Sequence, residues 1–417
     1  MTAMQVHTLT NGLRVCIDPM DGIETVALGV WAHAGSENER ENEHGLAHLL
    51  EHMAFKGTQR RSARDISEEI ENVGGHLNAA TSHQRTGYYV RLLRDDIALG
   101  VDILGDILLA PNMSDADLTR EKDVVLQEIG EAADIPDDVL FEQLQMGSWG
   151  SQSLGRPILG TPQSVQDQSS DSLRDFMGRW YQPENMVVAV SGAVEPASFL
   201  QLVRDTFGHV VNKATPQLPG DVNFVGDIRH DPREIEQTHL AVSFPGVASN
   251  DQKFFATRLF TDVLGGGMSS RLFQKIREER GLAYSVYSFA DGYERCGLTG
   301  AYLGADSTDI VEAAKHIRGE IEAMSVSIEQ REVDRARAML KSSMMMSLEN
   351  PGSRIEAAAG QLFGFQRLVP KEEIVDRLNR VSVDDVRQCA GEALCGAFSL
   401  AVVGPGDIDR AAEIFQA

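Results

Sequence analysis

The stretch HGLAHLLEHMAF, His44 to Phe55, sets three histidines and a glutamate inside an otherwise apolar run. Burying an unsatisfied polar group costs roughly a few kcal/mol, so something must compensate His48, Glu51 and His52. On a helix residues advance by about 100° each, so residues four apart share one face. His48 and His52 are therefore one turn apart, with Glu51 on the same side. Two imidazoles on one turn are a ready pair of zinc ligands, and a neighbouring carboxylate can reach a metal-held water. A core helix whose histidines find ordinary hydrogen bonds is the plainer alternative, and the three-residue constellation argues against it.

The order His-x-x-Glu-His reverses His-Glu-x-x-His and is the inverzincin signature. A catalytic zinc needs a third protein ligand and an open fourth position. The acidic helix opened by Ser114, SDADLTREKDVVLQEIGEAAD, offers Glu121 and Glu128. They are seven residues apart and share a face, with Val124, Val125 and Leu126 between them. Geometry of the sequence alone does not choose between the two.

The elements around this helix are legible from turn and cap signals. Asn11-Gly12 predicts a hairpin between VHTL and LRVCID. SARDISEEIENVG predicts a helix capped by Ser62 and stopped by Gly74. GHLNAATS and TGYYVRLL predict paired strands, DDIALGVDILGDILLA a helix ending at Pro111, and MVVAVSGAV a buried strand. The segment near residues 212–234, with Pro216, Pro219 and Pro232, has little apolar periodicity and is the predicted linker.

After it the order of elements recurs. THLAVSFPG stands where VALGVWAHAG stood, KFFATRLFTDVLGG where the histidine helix stood, and SLAVVGPG where VVAVSGAV stood. SRLFQKIREERG, read as a helix, then LAYSVYSFA, repeat RDISEEIENVGG and HLNAATS. The expectation is an α+β fold of two similar domains of roughly 200 residues, each a largely antiparallel sheet flanked by helices. The boundaries follow as 1–215 for the zinc-bearing domain, 216–232 for the linker and 233–417 for the second domain.

Net charge is −24, which disfavours nucleic acid and anionic membranes as partners. It suits basic peptides only if the acids line a cavity; acidic surfaces more often serve solubility. Cys16, Cys296, Cys389 and Cys395 show no metal spacing and are expected as reduced thiols. No apolar run is long enough to cross a bilayer, and MTAMQVHTLTNGLRV lacks the features of a signal or transit peptide. A cytoplasmic location is the expectation.

HGLAHLLEHMAFKGT, followed 76 positions after His52 by Glu128 in REKDVVLQEI, resembles the pitrilysin, insulin-degrading enzyme and mitochondrial processing peptidase family. GGHLNAATS, LGRPILGT, YQPENMVVAVSG and SSRLFQKIREERGLAYSVYS match further family stretches in the same order, over nearly the whole chain. In length the chain is similar to the short-chain, processing-peptidase-like bacterial members. The resemblance implies a zinc metalloendopeptidase with one Zn2+ per chain, held by His48, His52 and Glu128. It implies Glu51 as the general base toward a zinc-activated water, and Glu121 as a carboxylate supporting the metal site.

It also implies that the HLNAATS strand pairs with extended peptide substrate, with Asn78 and Ala79 at the matching positions. Where the family often carries a glutamate two residues after the Thr-Ser pair, this chain has Gln84. Arg277 and Tyr284 match a family pair that contacts substrate near the scissile bond. Taken without the resemblance, they read as a surface helix residue and a core aromatic. In long single-chain relatives the zinc lies in the first half and this pair far into the second. A chain of half that length carrying both implies a homodimer whose active site is completed by the partner. The alternative is a non-catalytic or partner-requiring subunit of a heterodimeric processing peptidase, a class that typically has damaged zinc motifs.

Overall fold

The chain reverses at Asn11-Gly12, where Gly12 takes φ +87°, and so joins β1 (Gln5–Thr8) antiparallel to β2 (Arg14–Pro19). The computed structural model describes residues 4–213 and 220–416. β3 (Thr25–Ala32), β4 (His76–Thr81), β5 (Thr86–Leu93) and β6 (Met186–Gly192) extend this hairpin into a six-stranded sheet. Its order is β1-β2-β6-β3-β5-β4, with β2 and β6 parallel and all other pairs antiparallel. β6 is buried throughout, as a central strand covered on both faces must be.

A second sheet contains β7 (Ile228–Asp231), β8 (Thr238–Gly246), β9 (Ala283–Gly292), β10 (Gly297–Ala305) and β11 (Ser399–Val403). Its order, β7-β11-β8-β10-β9, reproduces β2-β6-β3-β5-β4 strand for strand, including the one parallel pair, β7 with β11. The duplicated, largely antiparallel α+β architecture is the expected one. The predicted linker differs. Its residues 216–219, with Pro216 and Pro219, lie outside the described residues, but 228–231 form β7, paired to Leu400 to Val403. The strand is only four residues long and half exposed, IRHD, so it carries no apolar run to announce it.

The two units also exchange segments. One comprises Met1–Ile129, Arg156–Pro219 and Met346–Leu368; the other Gly130–Gly155, Gly220–Met345 and Val369–Ala417. Contiguous domains over 1–215 and 233–417 are thereby corrected. In the first unit, helix Pro351–Gly364 lays Ile355, Ala358, Ala359, Leu362 and Phe363 on Cys16, Ala27, Trp31, Val187 and Ala189. Arg354, in its first turn, clasps the buried Asp18 of β2 with two nitrogens, Nη2 to Oδ1 at 2.7 Å and Nε to Oδ2. In the second unit, helix Pro136–Trp149 sets Leu140 and Leu144 against Ala241, Tyr302, Ala401 and Val403. There Asp137 takes a hydrogen bond from the Tyr302 hydroxyl at 3.1 Å and lies 2.7 Å from His239 Nδ1. An amphipathic helix states that one face is covered, not by which sheet, so the sequence leaves this exchange open.

The opposite face of the first sheet carries the core of its unit. Leu46, Ala47, Leu49, Leu50, Met53 and Ala54 of helix Leu46–Ala54 are buried there with Ile66, Ile70, Tyr88 and Val90. Each buried leucine, isoleucine, valine or methionine there contributes about 1.5–3 kcal/mol. That explains the apolar part of the His48 run. All four cysteines are free thiols. Among the described residues no helix is long and apolar enough to cross a membrane.

Candidate metal centre

Helix Leu46–Ala54 starts from Gly45, at φ +83°, where a Cβ would stand 2.6 Å from the Leu159 carbonyl oxygen. A glycine has no side chain to cap the helix, and Glu39 supplies the cap instead. Its carboxylate accepts the Ala47 N–H at 2.8 Å and the Gly45 N–H at 3.1 Å. Arg156 donates to the Glu39 carbonyl at 2.6 Å. Burial pushes the Glu39 carboxyl well above the usual range, and those N–H donors oppose the shift. The start of the helix, and with it the direction of His48 and His52, is thus fixed by a buried acid.

The imidazoles of His48 and His52 lie with ring centroids 4.6 Å apart at 66°. Glu128, on helix Asp115–Asp134, brings Oε2 to 3.7 Å from His48 Nε2 and 3.5 Å from His52 Nε2. One donor atom from each of the three residues lies within 4.8 Å of the other two. Bonds of about 2.0–2.1 Å to a tetrahedral zinc set ligand atoms about 3.4 Å apart, close to this spacing. Burial, with His52 beside it, pushes the His48 ring down to about 4, so at neutral pH it offers a lone pair. His48 Nδ1 is buried without a hydrogen-bond partner among the described residues. In its Nδ1–H tautomer the His48 ring turns the Nε2 lone pair toward a carboxylate oxygen, an arrangement a cation resolves. The donor set fits Zn2+.

Glu121 stands behind these atoms. Only 5% exposed, it lies with Oε2 3.2 Å from His52 Nδ1 and Oε1 2.8 Å from Lys56 Nζ. By accepting a hydrogen bond from Nδ1–H, Glu121 leaves the lone pair of His52 on Nε2, the usual task of a carboxylate behind a metal-binding histidine. Geometry therefore separates the two glutamates that spacing alone left equivalent. Burial raises the carboxyl of Glu51, and hydrogen bonds from Thr81 oppose that rise.

β4 ends the first sheet, so one of its edges pairs with no other strand among the described residues. Asn78 is exposed and its Oδ1 accepts the Ala79 N–H at 2.9 Å, while Ala79 is buried in the core. Gln84 donates its amide to Glu37 at 2.7 Å. A glutamate at that position would set two carboxylates against each other, so the departure at Gln84 is matched by its neighbour.

Arg277 and Tyr284 belong to the second unit. The predicted helix around Arg277 is a π-type turn over Phe273–Glu278. The Arg277 guanidinium lies 4.4 Å over the Tyr284 ring and 4.7 Å over that of Phe273. Tyr284 is 74% exposed, which corrects its reading as a core aromatic. The structure thus gathers His48, Glu51, His52, Glu121 and Glu128 in one unit and stacks Arg277 with Tyr284 in the other. Sequence reasoning missed Glu39, Lys56 and Thr81. Lys56 lies just beyond the end of the His48 helix, and Glu39 and Thr81 act across loops and strands, so none of the three carries a helical-spacing signal.

A duplicated α+β frame bearing His-x-x-Glu-His on one helix and two glutamates on another defines a class of metallopeptidase fold. Residues 15–162 match the family model for insulinase, peptidase family M16, and residues 168–340 match that for the peptidase M16 inactive domain. The chain belongs to peptidase family M16. It is 34% identical over 419 residues to an uncharacterized zinc protease of Streptomyces coelicolor, covering 98% of this chain and 91% of that one. It is 33% identical over 400 residues to the uncharacterized zinc protease YmxG of Bacillus subtilis, covering 96% and 98%. In fold it is similar to the crystal structure of a protease from Helicobacter pylori, with TM-score 0.90 at 20% identity over 97% and 99% of the two chains. The peptidase M16 inactive domain of Pseudomonas fluorescens gives TM-score 0.88 at 19% identity over 97% and 98%. Helix Phe254–Gly265, the counterpart of the His48 helix in the second unit, contains no histidine.

Proposed function

We propose that the chain is a zinc-dependent endopeptidase or oligopeptidase, with one Zn2+ per chain held by His48, His52 and Glu128. The approach of those three donor atoms to within 4.8 Å of one another carries this reading. When bound, zinc supplies Lewis-acid activation of water and of the peptide carbonyl. Glu51 accepts the proton of the attacking water and returns it to the leaving amine. Glu121, backed by Lys56, holds His52 in the tautomer that presents Nε2.

An extended peptide adds to the free edge of β4, where Asn78 and Ala79 provide the contact, and backbone pairing tolerates varied side chains. Arg277 and Tyr284 donate hydrogen bonds to the substrate near the bond cut, reaching it from the partner protomer of a homodimer. The complete ligand set and base favour this over a non-catalytic or partner-requiring subunit. A cytoplasmic location goes with the same reading.

Purified chain is expected to carry about one zinc and to cleave quenched fluorogenic peptides. A chelator should abolish turnover and added zinc restore it. Turnover unchanged in the metal-free protein would overturn the reading, whereas a zinc-bound but inert chain would point to a missing sister subunit. Lys56→Met is expected to weaken zinc binding by about 10–100-fold, because it leaves the buried Glu121 carboxylate without its cation. Competition against a chromophoric chelator measures this directly.

A further inference from the structure

The base helix and the edge strand are joined at Glu51 and Thr81. The Thr81 hydroxyl, on β4, donates to Glu51 Oε2 at 2.5 Å. The Thr81 backbone N–H is also directed to the Glu51 carboxylate. Among the described residues no other side chain donates a hydrogen bond to Glu51.

The direction of the Thr81 proton is set from behind. Thr81 pairs across the sheet with Thr86, whose hydroxyl donates to the Ala34 carbonyl at 2.9 Å. Thr86 is fully buried, so that proton has no solvent to turn to. The two threonine oxygens are 3.4 Å apart, a longer and weaker contact than the one to Glu51. Thr81 is therefore left to donate to Glu51, the shortest and charge-assisted option.

We infer that Thr81 is a positioning residue for proton transfer, clamping the Glu51 carboxylate so that its direction is fixed by the strand that receives substrate. This rests on the reading of Glu51 as the proton acceptor. A glutamate turns about three side-chain bonds, and an unclamped carboxylate spends most of its time misdirected. A misplacement of about 1 Å in a reacting group costs on the order of 10²-fold in rate. The clamp also joins two tasks, since the residue that aims the base lies two positions beyond Ala79 on the same edge.

Thr81→Val keeps the shape of the side chain and removes the hydroxyl. Its kcat is expected to fall roughly 10–100-fold with KM within about twofold of the parent, and Thr81→Ser to restore kcat to within about threefold. Zinc affinity, measured by chelator competition on the metal-free proteins, should stay within about twofold in both, because Thr81 touches the base and not the ligands. In a Glu51→Gln background Thr81→Val should cause no further loss, the mark of a residue acting through its partner. Parental kcat in Thr81→Val beside an inactive Glu51→Gln would overturn the clamp and leave the base standing. A tenfold loss of zinc affinity, or a loss of kcat that serine does not restore, would also overturn it. Should Thr81→Val fail to fold, Thr81→Ala and Thr81→Ser carry the same comparison. Parental turnover in Glu51→Gln itself would strike the underlying reading instead.

Discussion

Glu51→Gln is expected to retain its zinc and lose peptide hydrolysis by roughly 10²–10⁴-fold. The amide has the size of the carboxylate and still accepts the Thr81 hydroxyl, so the helix and strand need not shift. It has no basic oxygen with which to take a proton from water. On the proposed reading the metal-binding atoms belong to His48, His52 and Glu128, so the variant keeps the whole donor set and metal analysis should find about one zinc per chain. The two readouts together separate a base from a ligand. Loss of zinc along with activity would place Glu51 in the donor set; turnover at the parental rate would remove it from the chemistry.

Asp18→Ala is expected to lower the stability of the first unit by about 3–5 kcal/mol, the usual cost of breaking a buried ion pair from one side. Asp18 is fully buried and receives three hydrogen bonds, two from Arg354 and one from the Ser191 hydroxyl at 2.6 Å. Asp18 also raises the affinity of the Arg354 guanidinium for its proton. Removing the carboxylate strands that charge in the interface between helix Pro351–Gly364 and the sheet. Urea unfolding should show the midpoint move with little change in slope. Hydrogen exchange should show the loss first in helix Pro351–Gly364. The pair Asp18→Leu with Arg354→Met is expected to recover most of the deficit, since apolar replacements of both partners leave no charge unpaired. A fall below about 0.5 kcal/mol in the single variant would mean the helix is held by its apolar face alone.

Local geometry made the first half of the candidate metal site legible. Four residues separate His48 from His52, and helical periodicity alone sets them on one face. Glu128 was legible only through family resemblance, because spacing offers Glu121 equally and the approach of two helices is not written in either one. The structure separates them by the nitrogen each faces, Glu128 toward Nε2 of both rings and Glu121 toward Nδ1 of His52. Thr81 was silent for another reason: a threonine in a strand is ordinary, and its partner lies thirty positions away on a helix. In the fold, caps such as Ser62 and turns such as Asn11-Gly12 were read correctly, since each is a contact within a few residues. β7 escaped because four half-exposed residues hold no pattern, although the repeat itself asks for a neighbour to β11.

The reciprocal trade of helices orders events in time. A ribosome that has finished β6 at Gly192 has still to synthesise the whole stretch to Pro351 before the cover for Trp31, Ala27 and Val187 exists. Until then the nascent protein carries an uncovered greasy sheet, the kind of surface on which chaperones act and aggregates start. Helix Pro136–Trp149 waits in its turn for β11, which ends at Val403. Each sheet meets its last partner only in the final part of the chain, so synthesis of this polypeptide ends with two late closures rather than one early and one late domain.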